Sequence, residues 1–256
     1  MKIVGAAVVA CATAALAGSL TEATAARKAA EGLNVIVVVD VTASQHRCPE
    51  GVAGLVSTTT QSSLGMAVRS RPLDFIPPAI SEFVLNGPRP EDRVRVAALG
   101  RRVYLSDAFA GDSADLKRAW RSLFTLPPVE WLGPSPIWDV LGDLVEMLST
   151  EPGQRAIILI SDGQASGNRR GSAEVASMAK RLGVRISAVG EESVMSTRPA
   201  QTMAQAIGKD PTSNLKQVAE QSGGRFHLDK ANVTPMMSCY TLDPGRFLAE
   251  AFSALR

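Results

Sequence analysis

Residues 33–39 read LNVIVVV and run straight into Asp40. A stretch so rich in β-branched side chains, with no charge on either alternating face, belongs in the middle of a sheet covered on both sides. The same signature returns at 156–160 (AIILI), which ends in Ser161-Asp162-Gly163. Further strands are expected at 93–99 (RVRVAAL) with 102–105 as its hairpin partner, at 184–189 (VRISAV), and more briefly at 224–228 (GRFHL). Amphipathic helical spacing fills the intervals. Helices are expected over 74–85, where Pro77 and Pro78 sit in the first turn or break it, and over 112–123 with Ser113 as cap. Others are expected over 135–148, 171–182, 212–221 and 244–255. Strand–helix alternation of this length implies an α/β fold: a doubly wound, mostly parallel, Rossmann-like sheet with helices on both faces.

The chain of 256 residues is long enough for one generous domain and short for two. Its formal net charge is only +2, and no run of Lys and Arg forms a phosphate-binding stripe, so nucleic acid is not the expected partner. Lys2 followed by the small apolar residues of 3–16, with small-x-small patterns at Ala15-Leu16-Ala17 and Ala23-Thr24-Ala25, reads as a signal peptide over 1–25. The expected product is exported, periplasmic or secreted, with 26–256 as a single domain. The apolar run is too short to span a bilayer. Val8-Val9-Ala10-Cys11 resembles a lipoprotein processing box, so membrane attachment is expected only if Cys11 carries a lipid. Cleavage leaves Cys48 and Cys239, for which a disulfide and two buried free thiols both stand as readings.

In parallel α/β sheets ligands gather outside the carboxyl ends of the strands. Three such positions carry hard oxygen donors. Asp40-Val41-Thr42-Ala43-Ser44 sets a carboxylate and two hydroxyls at alternate residues, Ser161-Asp162-Gly163 adds a second carboxylate, and Gly133-Pro134-Ser135-Pro136-Ile137 puts a hydroxyl where a helix opens. A hard divalent cation asks for about six oxygens, and two carboxylates balance its charge. Taken singly, each cluster reads as a turn or a helix cap. Together, at strand ends, they form a candidate metal site with one position open for an outside carboxylate.

Asp40-x-Thr42-x-Ser44, then Ser135, then Ser161-Asp162-Gly163 resemble the metal-ion-dependent adhesion site of von Willebrand factor A domains. Thr42 and Ser135 depart from the family's usual Ser and Thr and keep the hydroxyl in both cases. Glu91-Asp92-Arg93-Val94 and 215–226 (LKQVAEQSGGRF) add to the likeness, which spans roughly 33–228. The resemblance implies one divalent cation, Mg²⁺ before Mn²⁺ or Ca²⁺, with Thr42, Ser44 and Ser135 as direct or water-mediated ligands and Asp40 and Asp162 anchoring it. It further implies a protein ligand supplying Asp or Glu to the metal, no small-molecule cofactor, and binding rather than catalysis as the output. Gln45 to Pro72 stands as a long Ser/Thr/Gly-rich insertion beside this site, a specificity loop or a tolerated flexible segment. Gln45, His46, Arg169 and Arg170 are the candidate partner contacts.

An enzyme is the competing class. Only His46 and His227 are available as imidazole bases, and the chain has no Gly-x-Ser-x-Gly elbow, phosphate loop or His-Glu-x-x-His motif. A metal-dependent hydrolase built on Asp40 and Asp162 lacks a general base that the sequence can place. A zinc site from His46, Cys48, His227 and Cys239 lacks a tight second pair. A structural domain that retains the fold without the ion is the remaining alternative.

Overall fold

A computed structural model describes residues 32–42, 82, 84–85, 87–110, 112–124, 134–191, 211–229 and 245–255. The expected signal peptide, both remaining cysteines, Ser44, Gln45, His46 and the 45–72 insertion lie outside these residues. Among the described residues no helix is long and apolar enough to cross a membrane.

Six strands form one sheet in the order β3-β2-β1-β4-β5-β6. They are β1 (Leu33–Asp40), β2 (Arg93–Leu99), β3 (Val103–Leu105), β4 (Gln154–Ser161), β5 (Val184–Glu191) and β6 (Phe226–Asp229). All neighbours are parallel except β3, which folds back antiparallel on β2. β1 sits between β2 and β4, with Val37 opposite Val96 on one side and Ile158 on the other. All eight of its residues are buried, as its uncharged β-branched run requires.

Alternation along the strands divides the core in two. Val35, Val37, Val39, Ile158 and Ile160 face helices α1 (Ser113–Phe124) and α5 (Gly245–Ala254), through Leu116, Trp120, Leu248 and Phe252. Ile36, Val38, Ile157 and Leu159 face α2 (Ile137–Ser149), α3 (Ser172–Leu182) and α4 (Pro211–Ser222). The helix expected over 74–85 is represented by residues 82, 84 and 85, which are helical, with Val84 buried in the first core.

Two helix starts differ from expectation. The carboxylate of Asp112, rather than Ser113, caps α1 by accepting the Asp115 amide at 2.8 Å, which also sets a negative charge at the helix's positive end. α2 begins at Ile137 instead of Ser135. Ser135 precedes Pro136, and the proline ring disfavours helical backbone in the residue before it.

His227 lies on β6, the strand at the sheet's edge, with its Nδ1 3.5 Å from Glu250 Oε2 and its ring 5.5 Å from that of Phe247. Burial pushes its pKa below the ordinary imidazole value, and Arg225 adds to that, while Glu250 pulls the other way. A depressed folded pKa means the unfolded chain takes up the proton first. The contribution to stability is therefore complete above about pH 6.5 and is lost as the pH falls through the lower folded value. Unfolding midpoints from pH 7.5 down to 5 are expected to fall more steeply in the native chain than in His227→Gln. Parallel curves would remove His227 from the pH response.

Candidate metal centre

β1 and β4 are adjacent and in parallel register, so their carboxyl ends lie side by side. Asp40 closes β1 and Ser161 closes β4. By alternation both fall on the α2 side of the sheet, with Ile36 and Val38 in one strand and Ile157 and Leu159 in the other. The contact follows: Ser161 Oγ donates to Asp40 Oδ2 at 2.6 Å. The other carboxylate oxygen, Asp40 Oδ1, accepts the Thr42 amide at 3.0 Å and the Thr42 hydroxyl at 2.7 Å. Asp40 thus holds the β1 turn and the β4 turn in one grip.

Ser161 has a second task. Its Oγ accepts the Gly163 amide at 3.0 Å, and Asp162 Oδ1 accepts the Gln164 amide at 2.9 Å. Gly163 has φ +76°, and a Cβ there would stand 2.6 Å from the Pro211 carbonyl oxygen, so only glycine makes this turn. Asp40, Thr42, Ser135, Ser161 and Asp162 are all buried, none more than 4% exposed.

The third loop brings Ser135. Its amide donates to Ser166 Oγ at 2.9 Å and its carbonyl accepts the Ser166 amide at 2.8 Å, which ties it to the loop after β4. Its own hydroxyl is buried and has no hydrogen-bond partner among the described residues. A buried hydroxyl without a partner costs roughly 1–3 kcal/mol, so such groups in folded proteins need an explanation. The helix-cap reading of Ser135 does not supply one. The cap of α2 is made by Asn168, whose Oδ1 accepts the Trp138 amide at 2.7 Å.

Of the five sequence-selected ligands, Asp40 and Thr42 are bonded to each other, Asp162 follows the serine that bonds Asp40, and Ser135 is clamped to Asp162's loop. Ser44 lies outside the described residues. The donors are two carboxylates and hydroxyls, all hard oxygens, which suits a divalent cation of the Mg²⁺ or Mn²⁺ kind. Among the described residues no three His, Cys, Asp or Glu side chains are placed to hold a metal. The Thr42 hydroxyl spends its single proton on Asp40, so toward any other group it acts only through its lone pairs.

The two arginines beside the site differ. Arg170 is committed to α2, with its guanidinium 2.5 Å from Asp143 Oδ1, 3.4 Å from Glu146 Oε1 and bonded to the Asp139 carbonyl at 3.0 Å. These acidic neighbours raise its pKa. Arg169 has a side chain 88% exposed, with only a 3.5 Å approach to Asp139. Of the two arginines expected to meet an acidic partner, Arg169 leaves its side chain largely exposed and Arg170 does not.

Three residues of this constellation carry no role in the sequence reading: Ser161, Ser166 and Asn168. For Ser161 a signal existed, since strand alternation from Ile157 and Leu159 sets it on Asp40's face. For Ser166 and Asn168 none did, because their partners lie 31 and 30 residues away across a helix start.

Solved structures with this architecture include an aerotolerance-related membrane protein from Bacteroides fragilis, 16% identical over 88% of this chain and 98% of that one, with a TM-score of 0.51. A von Willebrand factor type A protein from Catenulispora acidiphila is 14% identical over 87% of this chain and 41% of that one, at a TM-score of 0.45. The mussel byssus proximal thread matrix protein 1, solved with zinc in its adhesion-site motif, is 15% identical over 88% and 46%, at 0.47. The likeness is one of fold: the chain shares the mostly parallel α/β architecture of the Bacteroides fragilis protein. No protein-family model and no curated protein matches the sequence.

Proposed function

We propose that this chain is an exported, non-catalytic binding module that holds one divalent cation through Asp40, Thr42, Ser44, Ser135 and Asp162. The observation that carries this reading is the buried Ser135 hydroxyl, unpartnered among the described residues, at strand ends that also bury Asp40 and Asp162. A cation offsets the cost of two buried carboxylates and supplies the absent partner of the hydroxyl. When bound, the ion supplies a Lewis-acidic position for a carboxylate from a protein ligand. The chain's own residues do the rest: Asp40 orients the Thr42 hydroxyl, Ser161 joins the two acidic turns, and Arg169 adds positive charge at the rim. Residues 1–25 act as the signal for export and 26–256 as one domain, with 45–72 as an insertion.

The test is a calorimetric titration of the purified chain with Mn²⁺ and Mg²⁺. One ion per chain is expected in the native protein, with no measurable uptake in Asp162→Asn. Absence of uptake in the native chain, or equal uptake in the variant, would overturn the reading.

A further inference from the structure

We propose that Asn168 is the positioning residue for the Ser135 hydroxyl: by capping α2 from the neighbouring loop it relieves the serine of that duty and keeps its oxygen available as a metal ligand. The proposal rests on the metal reading above and adds to it the residue that makes a serine usable there.

The amides of the first turn of α2 account for it. Ile137 donates to the Ser135 carbonyl at 2.9 Å and Val140 to the Pro136 carbonyl at 3.0 Å. Trp138 and Asp139 both donate to Asn168 Oδ1, at 2.7 and 3.4 Å. Every amide that a serine in this loop would otherwise satisfy is thus already satisfied. Helix N-termini attract serine hydroxyls strongly, so a serine beside an uncapped first turn would turn inward and bond an amide. Ser135 does not: its Oγ is buried and has no hydrogen bond among the described residues.

Asn168 is itself held in place from both sides. Ser166, two residues before it, takes the Ser135 amide and gives its own to the Ser135 carbonyl. The Asp139 carboxylate, in the first turn of α2, accepts the amides of Arg169 and Arg170 at 3.1 and 2.8 Å, just ahead of α3. The capping is therefore reciprocal: Asn168 caps α2, and a residue of α2 holds the chain after Asn168. The Arg170 and Arg169 amides keep the Asp139 carboxyl below its ordinary pKa. The Ser135 loop and the Asp162 loop consequently move as one body, and the spacing of the ligands they carry is set before any ion arrives.

The experiment measures Mn²⁺ affinity and the chelated unfolding midpoint for the native chain, Asn168→Ala, Asn168→Asp, Ser135→Ala and the double variant Asn168→Ala/Ser135→Ala. Asn168→Ala is expected to weaken Mn²⁺ binding roughly 10–100-fold, the range seen when a residue that orients a metal ligand is removed. Asn168→Asp keeps an acceptor suited to a helix N-terminus and is expected to restore binding. The double variant should bind no more weakly than Ser135→Ala alone, because Asn168 acts through that serine. With chelator present, Ser135→Ala should not lower the midpoint of the native chain. It should lower it in the Asn168→Ala background, where the serine has taken the vacated amides. Native-like Mn²⁺ affinity in Asn168→Ala, or full additivity of the two substitutions in both measurements, would overturn the proposal. Should the native chain take up no Mn²⁺, the metal reading itself fails, and the chelated midpoints alone decide: coupling retains Asn168 as the residue that positions Ser135, and additivity removes it.

Discussion

Excess Mn²⁺ or Mg²⁺ will raise the thermal unfolding midpoint of the native chain, and Asp40→Ala will abolish that rise. An ion that binds only the folded state stabilises it by RT ln(1 + [L]/Kd), about 2.7 kcal/mol when the free ion stands at ~100 times its dissociation constant. The size of the effect reflects what the site has already spent. Asp40 and Asp162 are 0% and 1% exposed, so the folded chain carries the desolvation of both carboxylates whether or not an ion is present. Asp40 also fixes the geometry of the other donors, since its two oxygens accept from the Thr42 amide, the Thr42 hydroxyl and the Ser161 hydroxyl. Alanine there removes a charge and releases two loops together, which is why the whole increment is expected to go. Midpoints taken with chelator and then with millimolar metal check this. A metal-dependent rise that survives unchanged in Asp40→Ala would sink the assignment.

The second large effect is on stability alone. Gly224→Ala is expected to cost at least ~3 kcal/mol, beyond the ~1–3 kcal/mol usual for overpacking, because the added Cβ meets backbone and not a side chain that can swing away. It would stand 2.0 Å from the Ile186 carbonyl oxygen, 2.5 Å from the carbon and 2.9 Å from the Ser187 nitrogen. All three belong to β5, whose pairing with β4 holds it in place. The preceding glycine is the control. Gly223 has φ +84° with nothing within 4 Å of its Cβ position, so Gly223→Ala should cost only the ~1–2 kcal/mol of a left-handed residue. Urea unfolding of both variants distinguishes steric exclusion from backbone preference. Equal losses would mean that β5 yields to the methyl group.

The strand assignments were legible because burial on both faces leaves a compositional trace. LNVIVVV and AIILI belong in the centre of a sheet by composition alone, and β1 and β4 occupy that centre. The carboxylates at their ends were legible for the same reason, since a charge that terminates an uncharged run stands out. Helix starts were less so. Ser113 and Asp112 are both good caps by composition, and only the hydrogen bond to the Asp115 amide separates them. For Ser135 the following proline argues against a helical conformation, but a helix cap is itself non-helical, so the sequence leaves the cap and the free hydroxyl undistinguished.

The sequence by itself determined the doubly wound sheet, because hydrophobic periodicity is a local property that each segment carries alone. It also determined the chemical kind of the site, since hard oxygen donors at strand ends are fixed by residue type. Tertiary structure alone decided which of those oxygens are engaged by other groups. Asp40 could reach Ser161 only once β1 and β4 were paired in register, 121 residues apart in the chain. Ser135 could keep its hydroxyl out of the helix cap only because Asn168 arrived from the next loop to make that cap. Arg170, similar to Arg169 in sequence, was drawn onto Asp143 and Glu146 of α2 while Arg169 stayed exposed. Hydrogen bonds and ion pairs are settled between groups that meet in space, and no periodicity along one segment encodes the partner that a distant segment will bring.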